Sequence, residues 1–321
     1  MLSTRLTAKN ILSCLLILTA ELAQAQGFPD KTIRIVTTEP GSTSDFLARL
    51  LAQGISGGLG RQVIVENRGG GLLASDAVLR AAPDGTNIIL NGSSLWLSPL
   101  MRENAPYDAV KDFSPITLAA SAPSVLVIHP SLPVRTVSEL IALAKSKPGE
   151  LNYGSGSTGA PSHLAVELFK SLASVSLTRI PYKGTSPAIN ALLGGQVQVM
   201  VVPPTAVVGH IKSGRLRALA VTSLKPSALT PGLPTVAAEG LPGFEVTGPF
   251  GLLAPARTPA ALINRLSEEM VAVLNRADEK QKLFNVGVEG VGSTPAEFSA
   301  AIRDDIQKWG QLIKAAGIRE E

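Results

Sequence analysis

The sequence predicts an α/β fold of mostly parallel sheets flanked by helices. Three observations carry that expectation. Short β-branched runs and helical apolar periods alternate along the chain, the pattern of strand–loop–helix units that assemble into parallel sheets. Glycine (30) and proline (23) are frequent enough for many short connections. With 321 residues, 45% of them hydrophobic, the chain can bury one large core or build two domains.

In order, Thr32–Thr37 reads as a strand with Ile33 and Ile35 on one face. After the loop Thr38–Asp45 comes a helix with Leu47, Leu50, Leu51 and Ile55 on its buried side, expected to stop near Gly57-Gly58. Val63–Val65 is a short strand, Gly69–Gly71 leads to a helix around Ser75–Ala82, and Pro83-Asp84-Gly85 is a turn. Asn87–Leu90 is a strand ending in the polar loop Asn91-Gly92-Ser93-Ser94. Val125–Ile128 has the continuous apolar character of a buried strand. Thr136-x-x-Glu139 is a capping box opening a helix to about Lys145. From Leu151 a short strand runs into a loop of glycine and hydroxyl residues, and Pro161 is the expected first residue of the next helix. Ala165, Leu168, Phe169 and Leu172 mark that helix's buried face. Leu177–Ile180, Val197–Val202, Arg217–Thr222 and Phe250–Ala254 are strands, with helices at Pro187–Leu193 and Ala206–Lys212. The rest is helical, one helix starting at Thr258-Pro259 and another at the capping box Thr294-Pro295-x-Glu297.

The N-terminus reads as an export signal. Arg5 and Lys9 precede the apolar run Ile11–Ala20, and Ala23-Gln24-Ala25 is a small-residue cleavage site. Residues 1–25 are therefore expected to be a signal peptide cleaved after Ala25, leaving the protein in the periplasm. Lipidation at Cys14 is the weaker alternative, because little apolar sequence precedes it. Cys14 is the only cysteine, so the mature protein needs neither thiol chemistry nor disulfides and relies on its core.

Composition and motifs exclude several functions. Aromatic residues make up only 4%, too few for the stacking platforms of nucleic-acid binders. The net charge of +4 is spread without a basic run. His129, His163 and His210 fall in no metal-ligand spacing. Gly154 and Gly159 have Walker-like spacing, but Ala160-Pro161 replaces the lysine and hydroxyl that a phosphate loop needs. No nucleophile elbow is present, and nothing assembles nucleophile, base and oxyanion hole. The expectation is a binding protein with no cofactor.

Three loops following strands share one chemistry: Glu39–Asp45, Asn91–Ser94 and Gly154–Thr158 are small and hydroxyl-rich. In open α/β sheets ligands sit beyond the carboxyl ends of strands. Glycine permits close backbone approach, and a helix N-terminus favours an anion. These loops are expected to grip the carboxylate of a small solute. Asp45 is expected at the first turn of its helix, where the dipole favours a negative charge, and His163 is placed to pair with Glu167.

The chain resembles the Bug-type extracytoplasmic solute receptors of tripartite tricarboxylate transporters. The phrases carrying the resemblance include Phe28-Pro29-Asp30-Lys31, Val65-Glu66-Asn67-Arg68, Ala82-Pro83-Asp84-Gly85, Tyr107–Phe113, Leu151-Asn152-Tyr153-Gly154-Ser155, Pro181-Tyr182-Lys183-Gly184, Leu192–Val197, Leu219–Ser223, Leu241-Pro242-Gly243-Phe244 and Phe250–Pro255. They run in order along essentially the whole mature chain. The resemblance implies a two-lobed, type II-like periplasmic binding protein with a hinge. One lobe would comprise residues 26–124 plus 250–321 and the other 125–249. It implies capture of a small organic acid or amino acid and its delivery to permease subunits of the transporter, by a protein working as a monomer. A periplasmic sensor presenting its closed form to a signalling partner would carry the same pocket.

Carried over by position, the pocket comprises Gly41, Ser42, Thr43, Ser44 and Asp45; Ser93 and Ser94; Gly154, Ser155, Gly156, Ser157 and Thr158 with His163; and Lys183, Thr185 and Ser186. Two departures from the family pattern add candidates. Glu39 stands in the first loop, where it binds an amine or faces solvent. Val201-Val202-Pro203 replaces a polar turn and places Pro203 there.

Overall fold

The computed structural model describes residues 30–69, 71–156 and 158–319; the leader, its cleavage site and Ser157 lie outside them. The chain first lays down β1 (Ile33–Thr37), β2 (Val63–Asn67), β3 (Asn87–Gly92) and β4 (Phe113–Pro123). It crosses at Ser124 into β5 (Val125–Ile128), β6 (Asn152–Ser155), β7 (Thr178–Pro181), β8 (Val199–Val202) and β9 (Arg217–Val221). It then returns through β10 (Thr247–Pro255) and β11 (Glu289–Gly290). Two sheets result, in the orders β11-β4-β10-β3-β1-β2 and β7-β6-β8-β5-β9.

Both sheets are mixed rather than mostly parallel. Among the described residues, β1 with β2 and β3, and β6 with β7 and β8, pair parallel. The strands next to the crossings, β4, β5 and β10, pair antiparallel. A chain that leaves one sheet and later returns to it must run its linking strands in opposite directions, which a local strand–loop–helix pattern does not reveal.

The eleven-residue β4 carries no strand signal in the sequence. Pro115 removes a ladder donor and the run Phe113–Pro123 does not alternate. The structure accommodates it with two bulges. Its register against β10 skips Ala119 and Ile116, both fully buried.

The helices are α1 (Thr43–Leu59), α2 (Gly71–Leu79), α3 (Ser94–Leu97), α4 (Val137–Ser146), α5 (Pro161–Ala173), α6 (Thr185–Leu193), α7 (Pro204–Lys212), α8 (Ala260–Leu274), α9 (Ala277–Asn285) and α10 (Pro295–Ala315). Helix α1 does not stop at Gly57-Gly58; Gly60 ends it with φ 61°. Gly58 serves close packing instead, because a Cβ there would lie 1.9 Å from the Glu269 carboxylate of α8. The box at Thr294 is complete, with side chain and backbone of Thr294 and Glu297 bonded reciprocally. At Thr136 only half forms, since the Glu139 carboxylate accepts from Arg135 N at 2.6 Å.

Ile33, Ile35, Leu47, Leu51, Ile55 and Met270 form the core of the first sheet's outer side. Val125, Val127, Ile189, Leu192 and Met200 do the same for the second. A third cluster belongs to both sheets. It joins Val36, Ile89 and Leu253 to Leu126, Val199, Leu164 and Phe169, with Phe298, Ile302, Trp309 and Ile313 of α10 among them.

The crossings are tied to each other. Ser124 N donates to the Thr222 hydroxyl at 2.8 Å, and that hydroxyl donates to Val246 O at 2.6 Å. Backbone bonds run from Thr222 N to Ser124 O and from Val246 N to Thr222 O, each 2.9 Å.

Gly251 marks the tightest seat of α10. A Cβ there would lie 2.1 Å from Cζ of Phe298, which is fully buried and stacked edge-on to Trp96. Overpacking a filled core costs about 1–3 kcal/mol. Gly251→Ala is expected to lower stability by that amount in urea or thermal unfolding; an unchanged midpoint would show that Phe298 yields freely.

Candidate functional site

A cavity of about 450 Å³ opens between the two sheets. Its lining draws on all three strand ends: Thr38, Glu39 and Ser44 after β1; Asn91 and Gly92 closing β3, with Ser93 and Ser94 after it; Thr158, Gly159 and Ala160 after β6. The returning segment Val246–Phe250 adds a wall, and α10 adds Asp305 and Trp309. Leu97, Met101 and Leu164 complete an apolar side.

The first loop is held by Asp45, which is 5% exposed. Asp45 N bonds the capping Ser42 hydroxyl at 3.1 Å. The Asp45 carboxylate accepts from Gly41 N at 2.9 Å, from Asn67 Nδ2 at 2.8 Å and from Arg49 at 3.0 Å. Asn67 also reaches Thr38 O at 2.9 Å. Burial alone would raise the Asp45 pKa, but the bonds from Arg49, Gly41 and Asn67 outweigh it and hold the carboxyl below its ordinary value. Asp45 is thus the loop's internal anchor. Of its neighbours, Ser44 and Glu39 line the cavity, whereas Gly41, Ser42, Thr43 and Asp45 do not.

The loop after β6 is also fastened from within. Gly156 N donates to the Ser162 hydroxyl at 3.0 Å, and Gly159 N to Nδ1 of His163 at 3.2 Å. Those amides, expected to face a carboxylate, are spent on the start of α5. Gly154 lies inside β6 against Val197 and Met200, and Ser155 is wholly buried. Of the predicted residues here, Thr158 alone among those described lines the cavity.

Arg179 of β7 is the part that sequence reasoning missed. It donates to the Ser155 hydroxyl at 2.8 Å, to Gly156 O at 3.0 Å and to the Thr158 hydroxyl at 3.3 Å. A cation inside an otherwise uncharged strand was the available signal. His163 is buried behind the loop, with Nε2 4.0 Å from Glu167. Glu167 in turn takes bonds from Tyr153 and from Lys170 at 2.7 Å. Burial, reinforced by the nearby Arg179 charge, pushes the His163 pKa down to about 4. Lys183, Thr185, Ser186 and Pro203 are exposed at the far loops and do not line this cavity.

Two wall groups stand out chemically. Asn91 is 3% exposed, its Oδ1 accepts from Gly92 N at 2.8 Å, and its Nδ2 has no partner within the chain. Buried donors without acceptors are rare in folded chains; this one lies beneath the cavity wall, out of reach of solvent. Asp305 takes the Trp96 indole N–H at 3.0 Å, and burial raises its pKa. Its signal was legible: it sits three residues after Ile302 and four before Trp309, on the apolar stripe of α10. Among the described residues no cluster of His, Cys, Asp or Glu could hold a metal ion.

A family model described as the tripartite tricarboxylate transporter family receptor matches residues 47–318. Protein BugT of Bordetella pertussis is 34% identical over 300 residues, spanning 92% of this chain and 92% of BugT. The R. palustris protein Rpa4515, solved with adipate, is 32% identical with a TM-score of 0.74, over 91% of this chain and 99% of that one. The periplasmic binding protein BugD is 32% identical with a TM-score of 0.71, over 92% and 100% of the two chains.

Two substitutions test the scaffold of the loops. Asp45→Ala strands the Gly41 amide and the Asn67 side chain, and is expected to cost roughly 1–3 kcal/mol, read as a lower unfolding midpoint with slower protease resistance lost first at residues 38–45. For His163, the unfolded chain takes up a proton near pH 6.5 while the folded chain does so only near 4. Stability should therefore fall as pH drops from 6.5 towards 4. His163→Gln keeps an acceptor for Gly159 N and should flatten that acid slope in melting temperature against pH; a slope identical to wild type would refute the assignment.

Proposed function

We propose, since this chain belongs to the tripartite tricarboxylate transporter receptor family, that its cavity captures a small carboxylate-bearing organic solute for delivery to a membrane permease of that transporter type. The observation that carries the reading is convergence. Loops from both sheets bring the hydroxyl-bearing residues Ser44, Ser93, Ser94 and Thr158 to one shared cavity. The adipate in Rpa4515 is a ligand of the same chemistry. A volume of about 450 Å³ is in the range of small-molecule sites.

The working cycle in this reading is closure of two lobes, residues 26–124 plus 250–321 and residues 125–249, about the paired crossings at Ser124 and Val246. Export with cleavage after Ala25 would deliver the receptor to the periplasm. Donors already fixed by Asp45 and Arg179 lower the ordering cost of binding. Recognition needs no reacting group. The residues that line the cavity hold a solute and leave it chemically unchanged.

A ligand at 100 times its Kd adds about 2.7 kcal/mol of stability. A thermal-shift screen of dicarboxylates, amino acids and aromatic acids is expected to find a solute that stabilises the protein by that order. Ser94→Ala, which removes one hydroxyl from the lining, should weaken the same solute by calorimetry while leaving the melting temperature of the free protein unchanged. No shift with any of them at millimolar concentration would overturn the reading.

A further inference from the structure

Among the described residues no Lys, Arg or His lines the cavity. Its two acidic members, Glu39 and Asp305, have interactions of their own. A carboxylate that enters meets no cation at the wall, so a counter-charge has to act from behind it. Arg179 of β7 is placed to do so. Its Nη1 donates to the Thr158 hydroxyl at 3.3 Å, and Thr158 lines the cavity. One side chain thus separates the guanidinium from the solute space. Arg49 and Lys170, also packed behind these loops, are matched by the carboxylates of Asp45 and Glu167. Arg179 forms no ion pair among the described residues. Its bonds go to three neutral oxygens: the Ser155 hydroxyl at 2.8 Å, Gly156 O at 3.0 Å and Thr158. Together they fix the plane of the guanidinium fork.

The two hydroxyls that Arg179 holds differ in where their protons go. Ser155 is wholly buried and passes its proton to Gly156 O at 3.0 Å. Thr158 takes the guanidinium N–H, and among the described residues its own proton meets no acceptor. A hydroxyl is one donor as well as an acceptor, and chained hydrogen bonds polarise one another, so accepting from a cation strengthens the O–H as a donor. The Thr158 proton is therefore open to an acceptor inside the cavity. The charge of Arg179 is felt across this loop: after burial, it is the next cause of the low His163 pKa.

Resting on the receptor reading above, we infer that Arg179 is a positioning residue that supplies counter-charge to the solute's carboxylate through the Thr158 hydroxyl. The guanidinium N–H donates to the Thr158 oxygen, and the Thr158 O–H donates to the carboxylate; no proton changes owner. Such a relay selects an ionised carboxylate over a neutral group of the same shape, because hydrogen bonds to an ionised acceptor are the stronger ones. Arg179 acts on the solute only through Thr158, so removing that hydroxyl should remove its influence.

The test measures adipate and its neutral diamide, adipamide, by calorimetry on the full mature chain; if adipate does not bind, the tightest acid of the wider screen and its primary amide take their place. Arg179→Gln keeps an amide donor and removes the charge. It is expected to weaken adipate about tenfold or more, the scale of a hydrogen bond to a charged group, and to change adipamide little. Thr158→Val should weaken adipate more than adipamide, and Thr158→Ser should restore it. The double variant Arg179→Gln/Thr158→Val should bind adipate no worse than Thr158→Val alone, the non-additivity of residues acting through one contact. Melting curves report folding, and if Arg179→Gln fails to fold, the two Thr158 variants decide. A wild type indifferent between acid and amide, an equal loss of both in the variants, or additive losses in the double variant would reduce Arg179 to a staple of the loop and overturn the inference while leaving a carboxylate receptor intact. A wild type that binds no acid in the screen overturns the receptor reading and this inference with it.

Discussion

One buried hydroxyl holds the two halves of this molecule in register. Thr222 is inaccessible to solvent, and its side chain bonds both Ser124 and Val246, the residues through which the chain leaves the first sheet and comes back to it. The cavity exists because these crossings are neighbours. If they were free of each other, the loops after β1 and β3 would have no fixed relation to the loop after β6. Helix α10 adds a second constraint from the opposite side, since its buried face belongs to a core shared by both sheets. The crossing segments are short and hydrogen-bonded to one another.

The loops at the cavity are fastened by hydrogen bonds within the chain. Asp45 and His163 are the most chemically provocative residues of their loops, and both turn inward. Each satisfies a backbone amide that a short glycine-containing loop would otherwise leave unmet. Arg179 works from below, fastening a hydroxyl and a carbonyl of the neighbouring loop with one guanidinium. What remains on the cavity wall is sparse: a few hydroxyl residues and two acidic ones among apolar groups.

Much of the architecture was readable in one dimension. The strands β1, β3, β5 and β10, the helices opening at Pro161 and Thr294, and the turn at Pro83-Asp84-Gly85 follow from local periodicity and capping chemistry, which act within a few residues. Strand β4 was invisible because its prolines and absent alternation erase the local signal, while long-range pairing with β10 creates it. Of the candidate pocket, Glu39, Ser44, Ser93, Ser94 and Thr158 reach the cavity. The glycines and serines beside them do not, because a donor at a strand end looks the same in sequence whether it meets a ligand or its own helix.

The order of residues alone therefore determined the α/β class, most element positions and the family resemblance, all of which depend on short-range preferences repeated many times. Tertiary structure decided the strand directions, the conversion of Asp45 and His163 from candidate contacts into supports, and the arrival of Asp305 and Trp309 from a helix more than 140 residues beyond Thr158. The physical reason is common to these cases. Hydrogen-bond partners and charges act through space across distances that the chain closes only when both sheets have formed.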